Sequence, residues 1–444
     1  MKKLRIILAT LAGKLLIFAG RVAGKKGSYT PGVIAMKIYP DILKHLSRQV
    51  REEIVFVCGT NGKTTTNNLL CSLLEASGKK VVCNKVGANM LAGVACSFIE
   101  SASVFGNLDA DYASIECDEA SLRHAVKHMR ADKVVITNLF RDQLDRYGEI
   151  EDTIGLLNEA FDKVGDTTLI LNGDDPMSAT FGIGRNAVYY GINENCSEDV
   201  KETNEGRFCT VCGADIKYNY YHYSQLGDWY CSGCDFKRPY IDYSADNIDL
   251  DGKLAFDING EVRLDLNYRG FYNIYNVLAA YAAYDMLGLK SDNINKVLGA
   301  YKPQIGRMEP FMVGGKLTVL NLAKNPAGFN QAIATLAADK RTKDVLIAIN
   351  DCPSDGMDIS WLWDVDFEKL GEVGVKSIYA SGERKHDTAL RLKYAGFENV
   401  ETVDITADTL RRIAGGNGEV CYLLVNYTVL FATQNILKTI SDKG

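Results

Sequence analysis

Apolar and polar positions alternate along this chain in two rhythms. Leu4, Ile7, Leu8, Leu11, Leu15 and Phe18 recur at helical spacing and predict an amphipathic N-terminal helix. Packing against the protein's own body is the expected use of that face, ahead of contact with a membrane surface. Lys14 and Arg21 interrupt the run, which falls short of the roughly 18 uninterrupted apolar residues of a spanning helix. The turn-prone stretch from Ser28 to Gly32 is expected to end the helix, and a short segment then leads to an apolar strand over Ile54–Val57. Strand-like runs at Val81–Cys83, Tyr112–Ile115, Val134–Thr137 and Thr168–Leu171 alternate with helical patterns, the order of a parallel α/β sheet. After Gly306–Pro310 the rhythm restarts, with strands near Lys316–Asn321, Val345–Ile349, Ser377–Ala380 and Val420–Val425. These patterns divide the chain into a helical segment (1–50), a central α/β domain (51–308) and a C-terminal α/β domain (309–444). Between 203 and 240 the composition shifts to Cys, Tyr and Gly, which reads as an inserted module.

Bulk properties narrow the class. A chain of 444 residues exceeds one ordinary core. The formal charge of -6 leaves no electrostatic footprint for nucleic acid. Twelve cysteines without a secretory cleavage pattern predict reduced thiols and a cytoplasmic protein. Four of them are patterned: Cys209-x2-Cys212 and Cys231-x2-Cys234 have the spacing of a zinc ribbon. A closed shell of four thiolates makes the expected Zn²⁺ structural. His222, between the two pairs, is expected at the surface.

The segment Gly59-Thr60-Asn61-Gly62-Lys63-Thr64-Thr65 follows a strand and precedes a helical pattern. Backbone N–H groups there can converge on phosphate oxygens. Lys63 is the candidate for the β- and γ-phosphates and Thr64 for magnesium. The general phosphate-loop pattern has glycine where this chain has Val57.

Six ordered motifs carry a resemblance to the Mur ligases. The loop GTNGKTTT is similar to theirs. Glu116-Cys117-Asp118-Glu119-Ala120 resembles the carboxylate motif whose first Glu binds magnesium. The run from Thr137 to Gly148 resembles their TN…DHLDRYG signature, and Asn172-Gly173-Asp174-Asp175-Pro176 their NADDP turn. The segment Tyr272 to Ala280 is similar to the helix near the adenine, which makes Asn273 a nucleotide candidate, and Gly306-Arg307-Met308-Glu309 is similar to the motif whose Arg reaches the nucleotide. The resemblance implies a Mur ligase central ATPase domain using ATP and Mg²⁺, with Lys63 and Glu116 in catalysis, and a C-terminal α/β Mur ligase-like domain.

Three departures refine it. Gln143 replaces the family's His, Asn321–Pro326 replaces D-Y-A-H-N-P, and the fifty residues before the loop are too few for the family's UDP-binding domain. Together with the four-cysteine module and the run from Asn350 to Asp364, these features resemble the MurT branch, the ligase-like subunits of lipid II isoglutaminyl synthase. Membership would imply amidation of the D-glutamate α-carboxylate of lipid II to D-isoglutamine through an acyl phosphate, in peptidoglycan synthesis. A glutaminase, GatD, would supply the ammonia and meet the C-terminal domain. It also implies that an aspartate of this run orients the glutaminase histidine, with Asp355 as first choice and Asp351 and Asp358 as alternatives. Asp358 equally suits the N-cap of a helix over Ile359–Asp364, and Trp361 and Trp363 suit core or interface packing. Location at the inner face of the plasma membrane would follow from peripheral contact through the substrate. An amino-acid ligase of the folylpolyglutamate type, or an ATP-binding scaffold without catalysis, is the competing reading.

Overall fold

The computed structural model describes residues 2–22, 27–85, 88–141, 150–196, 206–250, 254–267, 270–290, 293–301 and 306–442. Two compact units divide the chain, one holding every element up to Tyr301 and the other those from Glu309 onward.

The first unit opens with helix α1 (Lys2–Val22), followed by α2 (Thr30–Ile38) and α3 (Ile42–Ser47). Helix α1 ends ahead of the stretch from Ser28 to Gly32, but that stretch opens a second helix at Thr30 where only a short connecting segment is expected. Pro31 sits in the first turn of α2, where a missing N–H costs no hydrogen bond. The packing face of α1 also differs from expectation. Ile6, Ala9, Thr10, Gly13 and Ile17 are buried, whereas Leu4, Leu8, Leu11, Leu15 and Phe18 are exposed. Small residues decide this: a Cβ on Gly13 would stand 2.8 Å from Ile99, so the helix approaches its neighbours more closely than a leucine face permits.

The main sheet is built from β1 (Ile54–Cys58), β2 (Val81–Cys83), β3 (Tyr112–Glu116), β4 (Lys133–Ile136), β5 (Thr168–Asn172) and β6 (Ala187–Ile192). A separate hairpin, β7 (Ile216–Tyr223) and β8 (Leu226–Cys231), follows. The main sheet resumes with β9 (Tyr243–Asp249), β10 (Leu254–Ile258) and β11 (Val262–Leu266). Its order among the described residues is β11-β10-β9-β6-β5-β4-β1-β3-β2. Strands β1 to β6 run parallel, and β1 is buried along its whole length. The antiparallel strands β10 and β11 extend the sheet beyond the purely parallel expectation. Because β1 feeds a helix toward β2 while β4 returns on its other side, the chain reverses winding at β1. The crevice beyond the carboxyl ends of β1, β3 and β4 is thus a topological switch point, the place where open α/β sheets bind ligands.

The second unit carries β12 (Glu309–Val313), β13 (Lys316–Leu322), β14 (Lys343–Ala348), β15 (Val375–Ser381), β16 (Val400–Thr402) and β17 (Val420–Val425). Their order is β12-β13-β17-β14-β15-β16, with β12 antiparallel and the rest parallel. Strand β17 inserts between β13 and β14, so the segments following these three strands meet at one end.

Candidate functional site

The switch point gathers three of the sequence motifs. Immediately after β1, Gly59 and Gly62 take positive φ values of 119° and 86°, where a side chain is strained. Space forbids one as well: a Cβ on Gly59 would lie 2.3 Å from Thr137 Oγ1, and one on Gly62 would lie 2.1 Å from Asn276 Oδ1. The loop is clamped from the segment after β4. Asn138 accepts the Asn61 N–H at 2.9 Å through Oδ1 and donates to the Asn61 carbonyl at 3.1 Å. Thr60 Oγ1 accepts from Phe140 N at 3.0 Å. Lys63 begins a helix running to Ala76 with Gly62 as its N-cap, so the loop's N–H groups and the positive end of a four-turn helix face the same crevice.

Glu116 closes β3, buried at 2% exposure. Asn84 fixes its backbone, accepting the Glu116 N–H at 2.8 Å and donating to its carbonyl at 2.7 Å, while Asn89 donates to its Oε1 at 3.2 Å. Three residues on, Glu119 places Oε1 3.1 Å from Lys63 Nζ. Burial raises the Glu119 carboxyl above its ordinary range, against the pull of Lys63. The sequence motif contains Glu119 but assigns it no role; its spacing from Glu116, across the strand-to-helix turn, is the signal that could have found it. Asn276 is missed in the same way. It shares the first turns of the helix Asn273–Asp285 with the buried Asn273, donates to Asn273 Oδ1 at 3.0 Å, and abuts Gly62. Gln143 and the remainder of its run to Gly148 lie outside the described residues.

These donors fit a magnesium nucleotide in kind. Main-chain N–H groups, an ammonium, a hydroxyl at Thr64 and a buried carboxylate at Glu116 are the chemistry of phosphate and hard-cation binding.

In the inserted module the Sγ atoms of Cys209, Cys212, Cys231 and Cys234 all lie within 4.8 Å of one another. Cys212 and Cys231 are 3.4 Å apart and Cys209 and Cys234 3.7 Å, against the ~3.8 Å edge of a tetrahedron with zinc–sulfur bonds near 2.3 Å. Each knuckle donates an N–H to its first cysteine: Val211 to Cys209 at 3.4 Å and Gly233 to Cys231 at 3.2 Å. The Gly233 bond, with bonds from the neighbouring cysteines, lowers the Cys231 thiol to about 7. Trp229, fully buried, ties the module to the sheet by donating to the Gly173 carbonyl at 3.0 Å.

His222 is not at the surface as expected. It is 6% exposed, with Nδ1 2.7 Å from Tyr275 Oη and Nε2 2.8 Å from the Glu194 carbonyl. Tyr275 in turn donates to Asp174 at 2.8 Å, and Arg238 meets the same carboxylate at 2.7 Å. The hairpin is thereby bonded to the helix that carries Asn273 and Asn276, a tertiary docking that the cysteine spacing does not encode.

In the second unit, Arg307 is half-buried in the turn before β12. There Gly306 N donates to Glu309 at 3.0 Å and Met308 N to Asn321 Oδ1 at 3.2 Å. The segment after β14 holds the three candidate aspartates. Asp351 is ion-paired to Arg384 at 2.5 Å. Asp358 accepts Ser360 N at 2.8 Å ahead of the short 3₁₀ helix Ser360–Asp364. Asp355 is 5% exposed and accepts Thr428 N at 2.9 Å and Thr428 Oγ1 at 2.5 Å. Burial raises its carboxyl, against the bonds from Thr428. Thr428 also accepts from Asn350 Nδ2 at 2.9 Å, so the ends of β14 and β17 form one polar cluster. Trp361 packs on Phe329 with ring centroids 5.4 Å apart, whereas Trp363 stays 53% exposed.

With this geometry established, two curated relatives identify the lineage. The chain is 39% identical over 395 residues to the lipid II isoglutaminyl synthase (glutamine-hydrolyzing) subunit MurT of Staphylococcus aureus strain COL, covering 88% of each chain. It is 34% identical over 440 residues to the subunit of that name from Streptococcus pneumoniae strain R6, covering 98% of this chain and 97% of the relative. The chain belongs to the MurT family. Residues 322–430 match the MurT ligase C-terminal family, and residues 57–229 match the Mur ligase middle domain. The MurT fold is that of the Mur ligases. A pseudomurein peptide ligase type C from Methanothermus fervidus superposes with a TM-score of 0.70 at 24% identity, covering 89% of this chain and 80% of that one. MurF from Acinetobacter baumannii superposes at 0.65 with 16% identity, covering 92% and 80%. Among the described residues no helix is long and apolar enough to cross a membrane.

Proposed function

We propose that this chain is the ATP-dependent ligase subunit of a lipid II isoglutaminyl synthase, converting the D-glutamate α-carboxylate of the stem peptide to D-isoglutamine. The observation that carries the reading is the switch-point cradle, in which a phosphate loop, Lys63 and the buried Glu116 converge. Lys63, with the N–H groups of Gly59 to Thr65, would hold the triphosphate; Thr64 and Glu116 would hold magnesium; Asn273 and Arg307 would serve the nucleotide. Bound magnesium would neutralise charge on the phosphoryl oxygens. A carboxylate is a poor electrophile, so its oxygen first attacks the γ-phosphorus and ADP departs. Ammonia then attacks the acyl carbon and phosphate leaves, an excess proton passing to solvent. Lys63 acts in the first step by stabilising the charge that grows on the transferred group.

Glutamine would be hydrolysed on a glutaminase partner, GatD, with Asp355 of this chain orienting the partner's catalytic histidine as a triad carboxylate does. Asp355 is favoured over Asp351 and Asp358 because, among the described residues, it carries no competing arginine and lies within the polar cluster between two strand ends. The four cysteines would hold one structural zinc. Domains at 51–308 and 309–444, with 203–240 inserted, belong to the same proposal, as does a cytoplasmic site of action on the inner membrane face.

Amidation of lipid II by the purified chain with GatD tests this reading, comparing ATP plus glutamine with ATP plus ammonium salt. Isoglutamine formed from ammonium without the partner is the expected result. No amidation with either donor, despite bound ATP, would overturn it.

A further inference from the structure

Helix α1 leaves an apolar stripe uncovered by any of the described residues. Leu4, Leu8, Leu11, Leu15, Phe18 and Val22 follow one another at alternating steps of four and three, which holds them on one face, and they are 40–74% exposed. The opposite face is seated on α2 and the helix Leu91–Ser101, so the stripe is turned outward by packing and not by fraying. A turn beside the inner face of α1 also exposes apolar residues. Phe105 and Val104 are 63% and 42% exposed, and the adjoining Gly106 packs against Ile6 and Thr10 of α1.

Charge indicates what covers it. The helix holds Lys2, Lys3, Arg5, Lys14 and Arg21 and no acidic residue. At 100° per residue, Lys3, Lys14 and Arg21 fall on one side of the stripe and Arg5 on the other. Glu100 of the neighbouring helix pairs with Arg21, and its carbonyl accepts from Lys14 Nζ at 2.8 Å; one carboxylate against the four flanking cations leaves the border positive in balance. Apolar side chains bordered by cations match a bilayer whose hydrocarbon lies beneath anionic headgroups, and long basic side chains reach those headgroups from the edges.

We infer that α1 is an interfacial helix that seats this chain on an anionic phospholipid surface, with the Leu4–Val22 stripe immersed and its flanking cations on the phosphates. This inference is independent of the ligase chemistry.

Co-sedimentation of the full chain with vesicles tests it, comparing phosphatidylcholine alone with phosphatidylcholine mixed with phosphatidylglycerol. Binding should appear on the anionic vesicles, weaken with added salt, and fall at least about tenfold when Leu8, Leu11, Leu15 and Phe18 are changed to Ser. Thermal melting of that variant should match the parent, since the altered residues are exposed. Should it fail to fold, Phe18→Trp gives a second measurement: its emission, after subtraction of the parent spectrum, shifts to the blue with anionic vesicles. Equal recovery on both vesicle types, undiminished binding by the Ser variant, or an unshifted difference spectrum for Phe18→Trp overturns the inference. So does a dimer of the parent, seen by light scattering, that the Ser variant dissolves, because the stripe would then serve a second copy.

Discussion

Lys63 Nζ stands 3.1 Å from Glu119 Oε1, both side chains about nine-tenths buried, so the cation of the phosphate loop is already paired within the protein. A triphosphate must compete with that carboxylate for the ammonium. Two outcomes follow if Lys63 serves the nucleotide. Lys63→Ala should lower ATP-dependent amidation at least about a hundredfold. Glu119→Gln should tighten binding of metal-free ATP several-fold by calorimetry, since it removes a competing anion. Weaker binding in that variant would argue that Glu119 serves the nucleotide in another way.

Asp355 caps the helix Tyr427–Ile440 from a distant loop by accepting Thr428 N. Asp355→Asn should therefore cost about 1 kcal/mol of stability through the weakened cap. The proposed role in the partner's site adds a larger effect: glutamine hydrolysis in the complex should drop at least about a hundredfold while ATP binding is unchanged. Normal glutaminase activity in a folded complex would leave only the capping role.

Replacing Cys209 and Cys212 by Ser should release about one zinc per chain, measured by native mass spectrometry. Because Trp229 joins the module to the turn after β5 and His222 joins it to the helix Asn273–Asp285, the loss should also expose Trp229, seen as a red shift in its emission. Metal content equal to the parent's would refute the ribbon.

Asp175 is fully buried and its carboxyl is pushed up to about 7 by desolvation, against N–H bonds from Leu139 and Met177. A folded-state pKa above the unfolded one stabilises below the unfolded value and is lost as pH rises through the folded value. The protein should lose stability between about pH 4 and pH 7 on this account, by about 4 kcal/mol for the full rise. Urea unfolding of Asp175→Asn across the window should show a flatter profile than the parent. Parallel profiles would remove Asp175 as the source.

Much of the site was readable because it is local. A strand, a glycine-rich turn and a lysine within ten residues specify a phosphate loop wherever they fold, and two Cys-x2-Cys pairs place their thiols on knuckles by backbone geometry alone. The fully buried strands β1, β3, β4, β14 and β17 were likewise visible as largely apolar runs, which parallel sheets require. Strands β9 and β11 were not, since exposed polar residues alternate through them: Asn247 and Asp249 in β9, Arg263 and Asp265 in β11.

By itself, then, the order of residues determined the two α/β rhythms, the loop that can cradle phosphate, the four-thiol cluster and the family. Tertiary structure decided the pairings across long separations: Glu119 with Lys63, Asn276 against Gly62, Thr428 with Asp355, His222 with Tyr275. It also decided which face of α1 is buried. Periodicity sets the phase of a helix, but when both faces are apolar only the fit of Ala9 and Gly13 against neighbouring helices selects the inner one. Side-chain contacts far apart in the chain depend on how the elements stack, and no local pattern carries that information.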